Sequence, residues 1–259
     1  MQIREVFDRK RFVFLDGGMG TQLQSRGLRP GQKPELAALE MPEVLTAIHT
    51  DYANAGADIL LANTFGANAK KLTGCGHTVE EVVSASIACA RKAAETTGAC
   101  VALDIGPLGE LLVPAGTLAF EDAYNEFAQV IRAGAAAGAD LVFLETMTDL
   151  YELKAAILAA RENCDLPVFT SMSFESRGRT FTGCTVESYA VTAAGLPPPA
   201  LVRTPWASTA RSAPRRFCPS HSASAAACPR VFRSLSSRTP VCRTPTAATI
   251  STRMNLPPR

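Results

Sequence analysis

The sequence predicts an α/β protein: a β/α barrel that is truncated after about five βα units and is followed by an irregular or disordered tail. Five short apolar segments alternate with helical segments at a spacing of roughly forty residues, which is the pattern of parallel strands joined by helices. Each strand segment ends in a polar residue: Asp16, Asn63, Asp104, Glu145 and Ser173. Because the carboxyl ends of barrel strands meet at one mouth, this favours a barrel over the alternative, an open doubly wound sheet.

The first strand is expected at residues 12–15, a run that is too short for a helix and rich in aromatic and β-branched residues. Asp16 follows, and Gly17 and Gly18 then allow a sharp turn with exposed backbone N–H groups. A small polar ligand could approach the main chain here, although an ordinary turn leaving a strand fits the glycines equally well. The segment DGGMGT at 16–21 lacks both the lysine of a phosphate-binding loop and the glycine spacing of a dinucleotide-binding site.

The later elements follow from apolar periodicity and from turn residues. A one-sided helical period covers 42–55, and Gly56 follows as its C-cap. The same Gly-Ala-Asp triplet stands at 56–58 and 138–140, where a helix gives way to a strand. Thr148 or Asp149 is the expected N-cap of the fourth helix. Further strands are expected at 57–66, 100–109, 141–149 and 166–174, and further helices at 79–96, 121–137, 149–162 and 186–194.

Composition divides the chain into two parts. Residues 1–196 hold all 24 acidic residues and 16 of the 26 basic ones, whereas residues 197–259 hold ten arginines and no acid. The hydrophobic content of 47% allows a sizeable core. No apolar run approaches the roughly 18 residues that span a bilayer, and the first residues lack the apolar core of a signal peptide. We therefore expect a cytoplasmic protein with no membrane partner.

Cysteine and histidine spacing points to no metal site and no catalytic residue. The eight cysteines show neither CxxC spacing nor a disulfide framework, so reduced thiols are expected. Cys89 falls in an alanine-rich helix and is expected in the core. His49 and His77 have no Cys or His at metal spacing, and we expect them on a solvated helix face and in a loop. The cysteines stand at positions 75, 89, 100, 164, 184, 218, 228 and 242.

Five motifs in order resemble the homocysteine S-methyltransferase family, and most of all the N-terminal homocysteine-binding domain of cobalamin-dependent methionine synthase. They are DGGMGT at 16–21, AGADILLANTFGAN at 55–68, DIGPLG at 104–109, LETMTDLYE at 144–152 and SFESRGRTFTG at 173–183. The resemblance covers residues 1–196. It implies a zinc-dependent TIM-type β/α barrel that binds homocysteine and transfers a methyl group to its sulfur.

The resemblance also implies substrate-binding residues. Glu145 would receive the homocysteine ammonium, which a carboxylate can hold. Asp16, Gly17 and Gly18 would form the other wall of the amino acid pocket, where backbone N–H groups can hold a carboxylate. Asp104 is the third acid of the set, although an acid before Gly-Pro also caps its own turn. Taken alone, Glu145 would fit better as a helix N-terminal acid stabilised by the helix dipole, and it is the LETMTD motif that favours the ammonium-binding role.

Zinc is the cofactor that the family implies, since it converts a thiol into a thiolate nucleophile and is itself held by cysteine thiolates. The family's zinc cysteines lie in a Gly-x-Asn-Cys strand end and in a Cys-Cys pair, and neither motif occurs in this sequence. We do not assign Cys218, Cys228 or Cys242 to zinc. Cobalamin and methyltetrahydrofolate would act only through further domains that are not in this chain, and the methyl donor stays open.

The composition changes abruptly after Leu196. Residues 197–259 contain no Gly, Asp, Glu or Lys, an absence that ordinary composition does not produce. The segment could be an Arg/Ser/Pro-rich tail that binds nucleic acid, a genuine linker, or a gene read in the wrong frame. A one-base shift lets the codons of residues 206–211 encode Gly-Val-Asn-Cys-Ser, which resembles the family's next strand. We therefore interpret the tail as a frameshifted translation.

The predicted organisation is the N-terminal part of a homocysteine-binding barrel at 1–196 and an Arg/Ser/Pro-rich tail at 197–259. The predicted function is that of the homocysteine S-methyltransferase family, with homocysteine as the partner and with the chain inactive as written. The alternatives are a truncated, non-catalytic remnant and an amino-acid-binding fragment. A nucleic-acid-binding tail is the third alternative, and we do not expect it.

Overall fold

The computed structural model describes residues 3–10, 12–175 and 177–196, and further along the backbone of 206–210, 232–234 and 249–250. The strands are β1 (Val13–Leu15), β2 (Ile59–Leu61), β3 (Cys100–Ile105), β4 (Leu141–Met147), β5 (Val168–Phe174), β6 (Trp206–Ala210), β7 (Phe232–Ser234) and β8 (Thr249–Ile250). The helices are α1 (Ile3–Arg9), α2 (Met19–Ser25), α3 (Ala37–Glu40), α4 (Pro42–Asn54), α5 (Ala69–Leu72), α6 (Val79–Ala94), α7 (Phe120–Ala136), α8 (Leu150–Asn163) and α9 (Val186–Gly195).

Strands β1 to β5 lie side by side in chain order, and each neighbouring pair is parallel. Helices connect them, and the sheet curls into a half-barrel. The predicted fold, a truncated TIM-type barrel, is confirmed. Within the described residues, no helix has both the length and the apolar character needed to cross a membrane.

The tail contributes three short strands that the sequence did not predict. Strand β6 runs parallel to β5, β7 runs parallel to β1, and β8 pairs antiparallel with β6. Both edges of the five-stranded sheet are therefore paired. Ladder hydrogen bonds join main-chain groups, so an exposed strand edge can accept an extended segment with little regard to its side chains. The division of the chain at residues 196 and 197 stays a prediction.

Side chains on the two faces of the sheet enter two separate apolar clusters. Along β3, Cys100 and Ala102 face an inner cluster, while Val101 and Leu103 pack against the helices. Strand β4 repeats this alternation with Leu141 inside. Helix α1 belongs to the inner cluster through residues such as Ile3 and Val6, and it packs the ring of Phe7 against that of Phe169, with centroids 5.7 Å apart. Helix α1 therefore closes one end of the curled sheet.

The two Gly-Ala-Asp triplets form the same joint. Gly56 and Gly138 have φ values of 99° and 87°, a left-handed backbone that favours glycine. In the first joint the Asp58 carboxylate accepts the backbone N–H of Phe14 at 3.0 Å, and in the second Asp140 accepts that of Val101 at 2.7 Å. Each acid ties the start of a new strand to the strand before it. The repeat therefore places β2 beside β1 and β4 beside β3.

Candidate active site

Asp104 and Glu145 lie on the inner face of the sheet because of strand alternation. Asp104 continues the inner positions 100 and 102 of β3, and Glu145 continues the inner positions 141 and 143 of β4. Both stand towards the carboxyl ends of their strands. Asp104 is almost fully buried and Glu145 only partly. Their carboxyl groups are neighbours, and each affects the pKa of the other.

Asp16 completes a cluster of three carboxyl groups. It follows β1 directly, its side chain is buried, and its Oδ2 accepts the backbone N–H of Leu61 at 3.0 Å. Its charge is felt by both other acids, because it contributes to the rise in the pKa of Asp104 and of Glu145. The structure thus brings together all three acids that the sequence singled out.

Burial is the main reason why the pKa values of the three acids are raised. It raises the pKa of Asp16, and it raises the pKa of Glu145 to about 7, with the charge of Asp16 adding to the effect. Burial and the charges of Glu145 and Asp16 hold the pKa of Asp104 well above its usual range. Among the described residues, no lysine or arginine forms a salt bridge with any of the three. The cluster is therefore suited to receive a cationic group.

The glycine turn after Asp16 lies at the start of α2. Gly17 is partly exposed and Gly18 exposed, and within the described chain neither backbone N–H donates a hydrogen bond to another backbone group. Gly18 has φ −61° and ψ 108°, which any residue can adopt, so a left-handed backbone is not the reason for glycine. A Cβ there would lie 3.3 Å from Thr21 Oγ1. The turn matters for its accessible main chain.

His49 is a site residue that sequence reasoning missed. We expected it on a solvated face of α4, but its side chain is fully buried, and its Nδ1 lies 3.8 Å from Asp16 Oδ2. The expectation was wrong because His49 falls on the buried stripe of the helix. Leu45, Ile48 and Tyr52 mark that stripe at helical spacing, and this was the available signal. His77 is exposed just before α6, as expected.

Sequence reasoning also missed Lys71 and Glu152. Both side chains form hydrogen bonds with the backbone of the segment that follows β3. The Lys71 Nζ donates to the Pro107 carbonyl at 2.7 Å, and Glu152 Oε1 accepts the Leu108 N–H at 2.7 Å. Burial lowers the pKa of Lys71 and raises the pKa of Glu152 to about 7. Glu152 is the last residue of the LETMTDLYE motif, but nothing in that motif indicated its partner, because the partner is a backbone group of a distant loop.

The other strand-end residues are engaged in structure. The Asn63 amide donates to the Pro34 carbonyl at 2.6 Å, and Thr64 Oγ1 donates to the Asp104 carbonyl at 2.7 Å. Ser171 accepts the backbone N–H of Thr146 at 2.8 Å. Thr146 has φ 56°, a left-handed conformation that costs energy in a β-branched residue. This strained residue follows Glu145 and precedes the end of β4.

A separate cavity of about 670 Å³ lies between α8 and the segment leading into α9. Its lining includes Asp149, Lys154, Cys184 and Ser188. None of the three clustered acids lines it. Asp149 is also the N-cap of α8, accepting the Glu152 N–H at 3.0 Å, so the N-cap prediction is confirmed for this residue rather than Thr148.

Comparison with known proteins identifies the family. A family model described as homocysteine S-methyltransferase matches residues 13–205, well over half of the chain. The chain belongs to the homocysteine S-methyltransferase family. The resemblance seen in the five motifs is thereby confirmed.

Two methionine synthases are similar to this family member. That of Mycobacterium tuberculosis (strain ATCC 25618 / H37Rv) is 33% identical over 197 residues, which are 67% of this chain and 16% of the relative. That of Mycobacterium leprae (strain TN) is 33% identical over 196 residues, with the same two shares. The chain thus spans only about a sixth of the length of these relatives.

Solved structures with the same fold include a homocysteine methyltransferase, MmuM, from Escherichia coli. Its apo form gives a TM-score of 0.64 at 23% identity and covers 78% of this chain and 73% of that one. Its metallated form gives a TM-score of 0.66 at 22% identity and covers 78% and 75%. At these identities the likeness concerns the fold.

The described part of this homocysteine S-methyltransferase-family chain does not offer a zinc site. Cys89 and Cys100 are buried in the two apolar clusters, which confirms the core position expected for Cys89. Cys75, Cys164 and Cys184 are partly buried and unpaired by disulfides. No three His, Cys, Asp or Glu side chains among the described residues are arranged to hold a metal ion. Cys218, Cys228 and Cys242 lie outside the residues whose side chains the structure describes.

Proposed function

We propose that this chain carries the homocysteine-binding part of a homocysteine S-methyltransferase. The observation that supports it is the cluster of Asp16, Asp104 and Glu145 at the carboxyl ends of three parallel strands, beside the glycine turn. In β/α barrels that end of the sheet is where ligands bind. A free amino acid presents an ammonium and a carboxylate close together. The cluster and the turn are complementary to those two charges.

In the proposed complex, Glu145 receives the substrate ammonium. It is the most accessible of the three acids. We propose that the neighbouring Asp104 carboxyl donates a hydrogen bond to it and fixes its orientation. Asp16 supplies the second negative charge. The backbone N–H groups at Gly17 and Gly18 receive the substrate carboxylate.

The reaction that follows in the family is transfer of a methyl group to the homocysteine sulfur. The S–CH₃ bond of methionine forms, the bond between the methyl group and its donor breaks, and the thiol proton is lost. Zinc, where bound, supplies a thiolate by lowering the pKa of the thiol. The described residues do not fit zinc, so we assign none of them a catalytic role and leave the methyl donor open.

We further propose that the chain as written binds homocysteine without methylating it. The two zinc-cysteine motifs are absent from the 259 residues. The frameshift interpretation supports this view: the shifted codons place Gly-Val-Asn-Cys-Ser at residues 206–211, and β6 lies next to β5 at that point of the chain. The alternative is a non-catalytic remnant that has lost the amino acid pocket as well. A cytoplasmic location stays an expectation from the sequence, which shows neither a long apolar run nor the apolar core of a signal peptide.

Calorimetric titration of the chain with L-homocysteine in reducing buffer tests the binding proposal. The matched ligand is 4-mercaptobutanoate, which is homocysteine without its amino group. We expect homocysteine to bind about ten to a hundred times more tightly, since a charge-assisted hydrogen bond contributes about 1.5–3 kcal/mol. Glu145→Gln should remove most of this difference by weakening homocysteine alone.

Glu43→Gln is the control, because Glu43 is exposed on α4 and lies outside the cluster. It should leave both affinities unchanged. Equal affinities of the two ligands for the unaltered chain would rule out the ammonium site. Tight binding of one zinc ion together with methionine formation would refute the inactivity proposal. A version with the one-base correction, which restores the cysteine of the Gly-Val-Asn-Cys-Ser segment, is the comparison for zinc binding.

A further inference from the structure

Helix α4 contacts the turn after β1 through two side chains on one face. His49 Nδ1 lies 3.8 Å from Asp16 Oδ2, and the Tyr52 hydroxyl donates to the Gly18 carbonyl at 3.3 Å. His49 and Tyr52 are three residues apart, so they stand one above the other on the helix. The helix therefore contacts both ends of the Asp16–Gly18 wall of the proposed pocket.

The position of His49 is unusual for a residue with no role. Its side chain is fully buried, and within the described residues neither ring nitrogen has a hydrogen-bond partner. A buried polar group without a partner costs free energy, so such a group calls for an explanation. Asp16 Oδ1 is likewise buried and without a partner in the described chain. The ring faces the other carboxylate oxygen, Oδ2, which already accepts the Leu61 N–H, and the 3.8 Å from Nδ1 to Oδ2 is a distance that a small movement closes to a hydrogen bond.

We propose that His49 is a positioning residue that directs its Nδ1–H at Asp16 and keeps that side chain an oriented carboxylate for the substrate ammonium. This rests on the proposed function. His49 does not touch the substrate, and its action on binding passes through Asp16. When an ammonium group approaches the far side of the carboxylate, the Nδ1–H to Oδ2 contact shortens and both ends of Asp16 become satisfied.

The charges around Asp16 show why such support is needed. Desolvation raises the pKa of Asp16, and His49 is the largest opposing influence, followed by the Leu61 N–H. The other titratable groups that face Asp16 cannot stabilise its charged form. Two of them are acids, and the third is a phenol whose own pKa is raised. These groups are Asp104 on β3, Glu145 on β4 and Tyr52 on α4.

Two substitutions at the same position test the inference. His49→Phe fills the space without a donor, whereas the amide of His49→Asn can place an N–H close to the original Nδ1. Carbon-13 NMR of the Asp carboxyl groups reports the ionisation of Asp16 in the ligand-free protein, with Asp16→Asn assigning the resonance. We expect His49→Phe to move the Asp16 midpoint to higher pH by about one unit, and His49→Asn to restore most of it.

Homocysteine binding provides the second readout. Below the shifted Asp16 midpoint, His49→Phe should weaken binding about tenfold, and raising the pH above that midpoint should recover the loss, whereas His49→Asn should stay within about threefold of the unaltered chain. Tyr52→Phe is the control for the Asp16 midpoint, which should not move when only the Gly18 contact is lost. An unchanged Asp16 midpoint in His49→Phe would overturn the inference. If His49→Phe shifts the Asp16 midpoint as expected but the unaltered chain does not bind homocysteine, the proposed function alone is refuted.

Discussion

Asp104 and Glu145 carry neighbouring carboxyl groups on the adjacent parallel strands β3 and β4, and each group affects the pKa of the other. Such a pair needs one proton, and Asp104 keeps it because burial and two nearby negative charges favour its neutral form. Glu145 is the member that ionises near neutral pH. The pair therefore presents one switchable negative charge on the inner face of the sheet.

Homocysteine binding should strengthen as the pH rises from 6 to 8. Burial and the charge of Asp16 raise the pKa of Glu145 to about 7, so below that pH the group is neutral and attracts an ammonium weakly. The substrate ammonium stays charged throughout this range. Calorimetry should show affinity falling by up to about tenfold per pH unit below the midpoint. Affinity that is constant from pH 6 to 8 would exclude Glu145 as the ionising partner.

The ligand-free chain should lose stability as the pH rises from about 4.5 to 8. A carboxyl with a pKa near 7 in the folded chain and a normal value in the unfolded chain stabilises the fold only while it is protonated. For Glu145 the loss amounts to about 3 kcal/mol, as an order of magnitude. Thermal unfolding at several pH values should show the decline, and Glu145→Gln should make it smaller, leaving the part that comes from Glu152, whose pKa is also raised to about 7. Glu43→Gln should leave the slope unchanged.

Removing the Glu152 carboxylate should destabilise the segment after β3. Glu152→Ala leaves the buried N–H of Leu108 without its 2.7 Å partner, at a cost of about 1–3 kcal/mol. Glu152→Gln keeps an acceptor oxygen and should cost less than half as much. Urea unfolding measures both, with the exposed Glu121→Ala on α7 as the control. Equal losses for Ala and Gln would mean that the hydrogen bond is not the cause.

Gly134→Ala should destabilise the fold even though alanine is the better helix former. A Cβ at this position of α7 would lie 2.4 Å and 2.6 Å from the two methyl carbons of the buried Leu103. Overpacking of this kind costs about 1–3 kcal/mol, more than the roughly 1 kcal/mol gained in helix propensity. Within the described residues, Gly195→Ala at the end of α9 meets no atom within 4 Å and should be neutral or slightly stabilising. Unfolding midpoints should separate the two variants.

The five-stranded core was predictable because its signals are local. Strand β3 is buried at every position, so its apolar run is unbroken, and the two Gly-Ala-Asp joints repeat a visible triplet. The three acids were also predictable, since each comes at the end of its own strand. His49, Lys71 and Glu152 were not, because their roles depend on groups that are distant along the chain. Helix α1 and strands β6 to β8 escaped prediction because their pairing depends on surfaces that exist only after the sheet has curled.

Helix α1 covers one end of the half-barrel. With Ile3 and Val6 in the inner cluster and Phe7 against Phe169, the space inside the curl is filled from that side up to the level of the acids. In the proposed complex, an amino acid anchored by its ammonium enters with its ammonium end leading and leaves through the same opening. Its side chain then points back towards the way in, so the sulfur is the last atom to be covered and the first that a methyl donor meets.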